Sequence, residues 1–121
     1  MAIPQLTGDD IEEMGRLCGQ MRKLAAPAQR REYLALNRQF HFIAFRRAGS
    51  DRLLHFLTYL WDAAAPYTFT GLVDIDEARH DHEQMMDLFE ARDVDGVIEM
   101  MTRHRGLAVE AVARWEARSR P

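Results

Sequence analysis

Three of the five histidines in this chain, His41, His82 and His104, stand where a helical apolar stripe should run. A buried imidazole needs a partner for each ring nitrogen, and an unsatisfied polar group costs ~1–3 kcal/mol. Asn37 lies four residues before His41, so both side chains leave the same helix face one turn apart. A single divalent ion would satisfy three imidazoles and an amide oxygen together. That donor set suits zinc, with nickel or another late first-row metal as alternatives, and leaves room for water or a ligand. The spacing leaves a second possibility open, in which each histidine is a hydrogen-bonded core residue. His55 aligns with Thr58 and Asp62 on a polar face, and His80 lies about 200° around its helix from His82. Both are expected outside the site.

Other chemistries fit the residues less well. His82-Glu83 opens like the HExxH zinc-protease motif, but Met86 stands where the second histidine is needed. A di-iron bundle needs two Glu-x-x-His motifs, and only Glu77 to His80 matches. There is no Gly-rich phosphate loop and no serine or cysteine in a nucleophile context. The pairs Met85-Met86 and Met100-Met101 read as core packing rather than as a copper site.

Period 3.6 runs through the whole sequence, and no segment alternates with period two for long enough to be a strand. The expected fold is all-α, an antiparallel bundle of about five helices with short connections. Thr7 caps the first, whose inner stripe is Ile11, Met14, Cys18, Met21 and Ala25; Pro27 stops it. The second spans about Ala28 to Ala48, with Tyr33, Asn37, Phe40, His41 and Ala44 inward and Gly49 as a left-handed cap. Ser50 and Asp51 open the third, with Leu53, Leu54, Leu57, Trp61 and Ala64 inward and Pro66 at its end. An irregular stretch from Pro66 to Val73 is expected next. Asp74 caps the fourth, striped by Ile75, Ala78, His82, Met85, Met86 and Phe89. A tight Arg92-Asp93 junction leads to the fifth, striped by Val94, Val97, Ile98, Met101, His104, Ala108, Val112 and Trp115. Gly15 and Gly106 inside helices suggest close helix approach.

At 121 residues the chain fits one domain, 1–121, large enough for a single core. The net charge of −3 and pI near 5.9 argue against a stand-alone nucleic-acid binder. No apolar run reaches membrane-span length, and the N-terminus lacks the pattern of a signal peptide. One cysteine, Cys18, excludes an internal disulfide and fits a reducing cytoplasm.

The order of motifs resembles the FCD domain, the C-terminal effector-binding domain of FadR-subfamily GntR transcription regulators. The resemblance is carried by Leu36-Asn37-Arg38-Gln39-Phe40-His41, by Ala48-Gly49-Ser50-Asp51-Arg52-Leu53, and by the last two helices. There His82 to Phe89, then Ala91-Arg92-Asp93, then Met101-x-x-His104 follow the family closely. The similarity spans about Leu6 to Trp115. It implies a helical bundle whose cavity binds a small organic acid, often beside a metal held by one Asp and three His. Carried over, the imidazole ligands are His41, His82 and His104. Asn37 stands where the family usually has Asp, which keeps the full +2 of an ion, weakens metal affinity and favours an anionic ligand.

The resemblance also implies homodimers, and DNA contact only through a winged helix-turn-helix domain, which this chain does not contain. The chain begins at what resembles the family's second helix, as an excised fragment or a truncated coding sequence would, and apolar bundle surface should be left uncovered. Among arginines near the inferred site in sequence, Arg79 is the favoured carboxylate clamp, with Arg38 and Tyr67 as further effector-binding candidates. The function expected is therefore cytoplasmic effector sensing without catalysis. The rival is a small helical metal-dependent hydrolase or lyase using the same histidines, although Glu83 and Glu99 point away as candidate bases. A purely structural dimerisation module is the third alternative.

Overall fold

The structure, a computed structural model, describes residues 5–24, 27–69 and 75–119, with side chains for all of these except 27, 64–69, 75–78, 105, 107–109, 111, 112, 115 and 119. Helix α1 spans Gly8–Arg22, α2 Arg30–Arg46, α3 Asp51–Phe69, α4 Ile75–Glu90 and α5 Val94–Ser119; a single 3-10 turn, Pro27–Gln29, precedes α2. Among the described residues there is no strand, so the fold is all-α as the periodicity requires. None of the described helices is long and apolar enough to cross a membrane.

The helix ends follow local chemistry. Thr7 Oγ1 accepts from the Asp10 amide at 3.1 Å while Asp10 Oδ2 accepts from the Thr7 amide at 2.9 Å, a reciprocal cap for α1. The same Asp10 carboxylate receives the Arg47 guanidinium at 2.7 and 3.1 Å, tying the start of α1 to the end of α2. That cation, and the Thr7 amide after it, lower the Asp10 pKa to about 2. Gly49 follows α2 at φ +75°, as a left-handed cap. Ser50 Oγ then accepts from the Leu53 amide at 3.2 Å, and Asp93 Oδ1 from the Gly96 amide at 3.0 Å, so both residues cap helices. Between α4 and α5, Arg92 turns left-handed at φ 55°, and Asp93 N reaches back to the Leu88 carbonyl at 3.0 Å.

These short turns reverse the chain and lay α1 against α2 and α4, α5 against α4, and α3 against α2. The core joins Met14, Leu17, Cys18 and Met21 of α1 with Tyr33, Phe40 and Ile43 of α2 and Met85, Met86 and Phe89 of α4. Gly15 lies where α1 meets α4: a Cβ there would stand 3.7 Å from Met86 Cε, an ordinary contact. At Gly106 no described atom lies within 4 Å of the corresponding point.

Three sequence expectations need correction. The second helix begins at Arg30 rather than Ala28, because a 3-10 turn takes up Pro27–Gln29. The third does not stop at Pro66; a proline marks a probable helix boundary and not a certain one, and α3 continues to Phe69. The rest of the expected irregular stretch and the Asp74 cap fall within residues 70–74, outside the described residues. Finally, Leu53 and Ile98 are exposed. Leu54, Leu57 and Trp61 form the half-buried face of α3 instead, while Phe56, Tyr59 and Leu60 stand outward with Leu53.

Candidate metal centre

His41 comes from α2, His82 from α4 and His104 from α5, the three helices whose stripes each give up one apolar position. Their ring centroids are 5.1 Å (41–82), 4.9 Å (82–104) and 5.6 Å (41–104) apart. Each offers a nitrogen within 4.8 Å of the other two. His41 and His82 are buried and His104 is partly so. Phe40 packs edge-on against both His41 and His82, and Trp61 stands 5.5 Å from the His41 ring, so aromatic side chains line the centre.

Tautomers follow from the hydrogen bonds. His41 Nε2 lies 3.0 Å from His82 Nε2. Two bare lone pairs would repel at that distance, so one nitrogen carries a hydrogen or both face a cation. Nitrogens ~2.0–2.1 Å from a tetrahedral ion stand ~3.3 Å apart, close to the separation seen. His82 Nδ1 lies 3.0 Å from Tyr33 Oη, and His104 Nδ1 3.2 Å from Asp81 Oδ2. With Nδ1 hydrogens on those partners, the Nε2 atoms of His82 and His104 are left for the centre, the arrangement that metal-bound histidines show. Burial raises the Tyr33 phenol pKa, so the hydroxyl stays protonated and donates or accepts as the His82 tautomer requires. Burial first, then His82 and His104, push the His41 pKa well below its ordinary value. It is held neutral, the form that binds metal.

Asn37 occupies the same α2 face one turn before His41, and its Oδ1 is buried with no hydrogen-bond partner. A buried carboxamide oxygen without a partner, on the helix face that also carries His41, and three convergent imidazoles are donors of the kind that a divalent ion takes, so the residues present fit one. When bound, such an ion acts as a Lewis acid able to take an anionic oxygen as a further ligand. His55 and His80 are exposed, and His80 bonds Gln84 at 3.0 Å.

The effector-binding candidates sit less centrally. Arg79 donates to the Leu24 carbonyl at 2.9 Å, and its charge acts on the Tyr33 phenol. Arg38 stacks over Phe42 at 4.4 Å and approaches Asp62 at 3.6 Å. Tyr67 belongs to α3, but its side chain lies outside the described ones. Glu83 pairs with Arg22 at 2.8 Å and Glu99 is exposed, so neither serves the centre as a base. The sequence pattern places Tyr33 only in the core and does not mark Asp81, yet both touch the cluster. An aspartate directly before a stripe histidine was the available signal for Asp81.

Residues 1–106 match the family model of the FCD domain. The chain belongs to that family, whose members are the effector-binding domains of GntR-type transcription regulators, a regulatory rather than a catalytic class. No curated protein and no solved structure matches it.

Proposed function

We propose that this chain is the cytoplasmic effector-sensing domain of a bacterial regulator of the FadR subfamily. It holds a divalent transition metal, zinc first, on His41, His82 and His104 with the Asn37 carboxamide oxygen, and binds a small carboxylate beside the ion. The observation that carries this is the convergence of one nitrogen from each of His41, His82 and His104 within 4.8 Å of one another, with Tyr33 and Asp81 engaging Nδ1 of His82 and His104 from behind. A neutral donor set leaves the ion's +2 uncompensated at first contact, which favours an anionic effector. Arg79, half-buried and near Tyr33, is the candidate clamp for its carboxylate. Arg38 and Tyr67 are candidates for the outer wall.

The protein works as a homodimer, with the outward apolar residues of α3 as its contact face, and reaches DNA through a separate winged helix-turn-helix domain. An effector that binds one bundle arrangement better shifts the population toward it and so changes the spacing of the two DNA-binding heads. Elemental analysis of purified protein tests the metal, with one ion per chain expected and none in His41→Ala/His82→Ala. Calorimetry with a panel of small carboxylates then tests the effector. Turnover of those acids by the metal-loaded protein would contradict a sensing role.

A further inference from the structure

Asp81 is 5% exposed, unusual for a carboxylate, and burial of a charge is costly unless partners satisfy it. Its partners are His104 Nδ1 at 3.2 Å and, more loosely, the Arg103 guanidinium at 3.7 Å. Arg103 is 61% exposed, so solvent screens it and it does not account for a buried anion. Asp81 immediately precedes His82 on α4. Successive helical residues point ~100° apart, and here one meets α5 while the other meets α2. A carboxylate only accepts hydrogen bonds. The nitrogen facing it must carry the hydrogen, which leaves Nε2 as the atom of His104 that can serve as a ligand. Tyr33 meets His82 Nδ1 in the same position, but a phenol can donate as well as accept and brings no charge. Asn37 brings none either.

We propose that Asp81 holds His104 in the tautomer whose Nε2 lone pair serves the three-histidine centre. One hydrogen bond away from the ion, it also supplies the negative charge that Asn37 does not. The charge half rests on the metal reading above; the tautomer half stands without it. A carboxylate behind a ligating imidazole makes the ring a better donor, and removing such a partner costs 10–100-fold in metal affinity. Asp81 is thus a positioning residue that lets a carboxamide replace a carboxylate in the ligand set.

Two measurements test this. On metal-free protein in mildly alkaline buffer, long-range 15N–1H spectra of the histidine rings should show His104 with hydrogen on Nδ1, and Asp81→Ala should lose that preference. Zinc affinity, measured by competition with a chromophoric chelator, should fall ~10–100-fold in Asp81→Ala. It should also fall more than threefold in the near-isosteric Asp81→Asn, which keeps the volume and removes the charge. Cobalt(II) spectra of the loaded proteins should shift in both variants. If Asp81→Ala does not fold, the parent spectrum and Asp81→Asn carry the two halves. Hydrogen on Nε2 in the parent overturns the tautomer half, and zinc affinities within threefold overturn the charge half. A parent that binds no metal, with His104 hydrogen on Nδ1, overturns the metal reading and the charge half while the tautomer half holds.

Discussion

Asn37→Asp should cost the fold clearly less stability with metal bound than without it. In the metal-free protein the change places a carboxylate where a buried amide oxygen already lacks a partner. An uncompensated buried ion costs several kcal/mol after relaxation, some of it relieved by protonation, so a loss of about 2–4 kcal/mol is expected at neutral pH. For a domain of 121 residues that lowers Tm by about 4 °C per kcal/mol. With a divalent ion bound, the same carboxylate becomes an anionic ligand and lowers the site's net charge from +2 to +1. Affinity should rise tenfold or more, adding about 1.4 kcal/mol to the stabilisation that saturating metal provides. A carboxylate effector sharing the ion should bind more weakly by a comparable factor. Thermal melts with and without zinc, and calorimetry with zinc and then with candidate acids, read all three effects. If neither affinity moves by more than about threefold, ~0.7 kcal/mol, the Asn37 oxygen does not touch the ion and the reasoning fails.

Tyr33→Phe leaves the buried His82 Nδ1 without its partner, so denaturant melts should show a loss of ~1–3 kcal/mol, and zinc affinity should fall ~10-fold or more. Asp10→Asn removes the anion that faces Arg47. With the carboxyl pKa depressed from 3.8 to about 2, the ion pair stabilises the fold fully above pH 3.8 and loses that effect as pH falls toward 2. Because half-exposed Arg47 is screened, urea melts should put the parent about 1 kcal/mol above Asp10→Asn at neutral pH, a gap that closes in acid. Gly15→Ala should stabilise by about 0.5–1 kcal/mol, since its methyl finds ordinary contact with Met86; a loss on thermal melting would mean that α1 and α4 approach more closely. Phe56→Glu places a charge on the outward face of α3, where Phe56 is 65% exposed. Sedimentation should show the parent as a dimer and the variant as a monomer with unchanged helical content.

The elements and their capping chemistry were legible in the sequence because both are local: a 3.6-residue apolar period and a Thr or Ser before it need no tertiary information. The convergence of His41, His82 and His104 was legible for the same reason, since a polar residue within an apolar stripe must meet whatever the stripe faces. Pro66 misled because proline signals a probable boundary and not a certain one. Leu53 is exposed because, among the described residues, α3 packs chiefly against α2; its apolar residues outnumber the positions that neighbour can cover. The partners of the histidines were not legible. Asp81 lies off the stripe and meets His104 across the α4–α5 contact, which depends on how two helices rotate against each other. The hydrogen bond between Tyr33 and His82 likewise depends on the α2–α4 register.

Anomalous diffraction at the zinc edge, on crystals of the zinc-loaded protein, tests the central claim most directly. One peak per chain is expected, ~2.0–2.1 Å from the nitrogens of His41, His82 and His104, with the Asn37 oxygen turned toward it. A protein that crystallises from excess zinc with no peak among the three rings, and with His41 still bonded directly to His82, would contradict it.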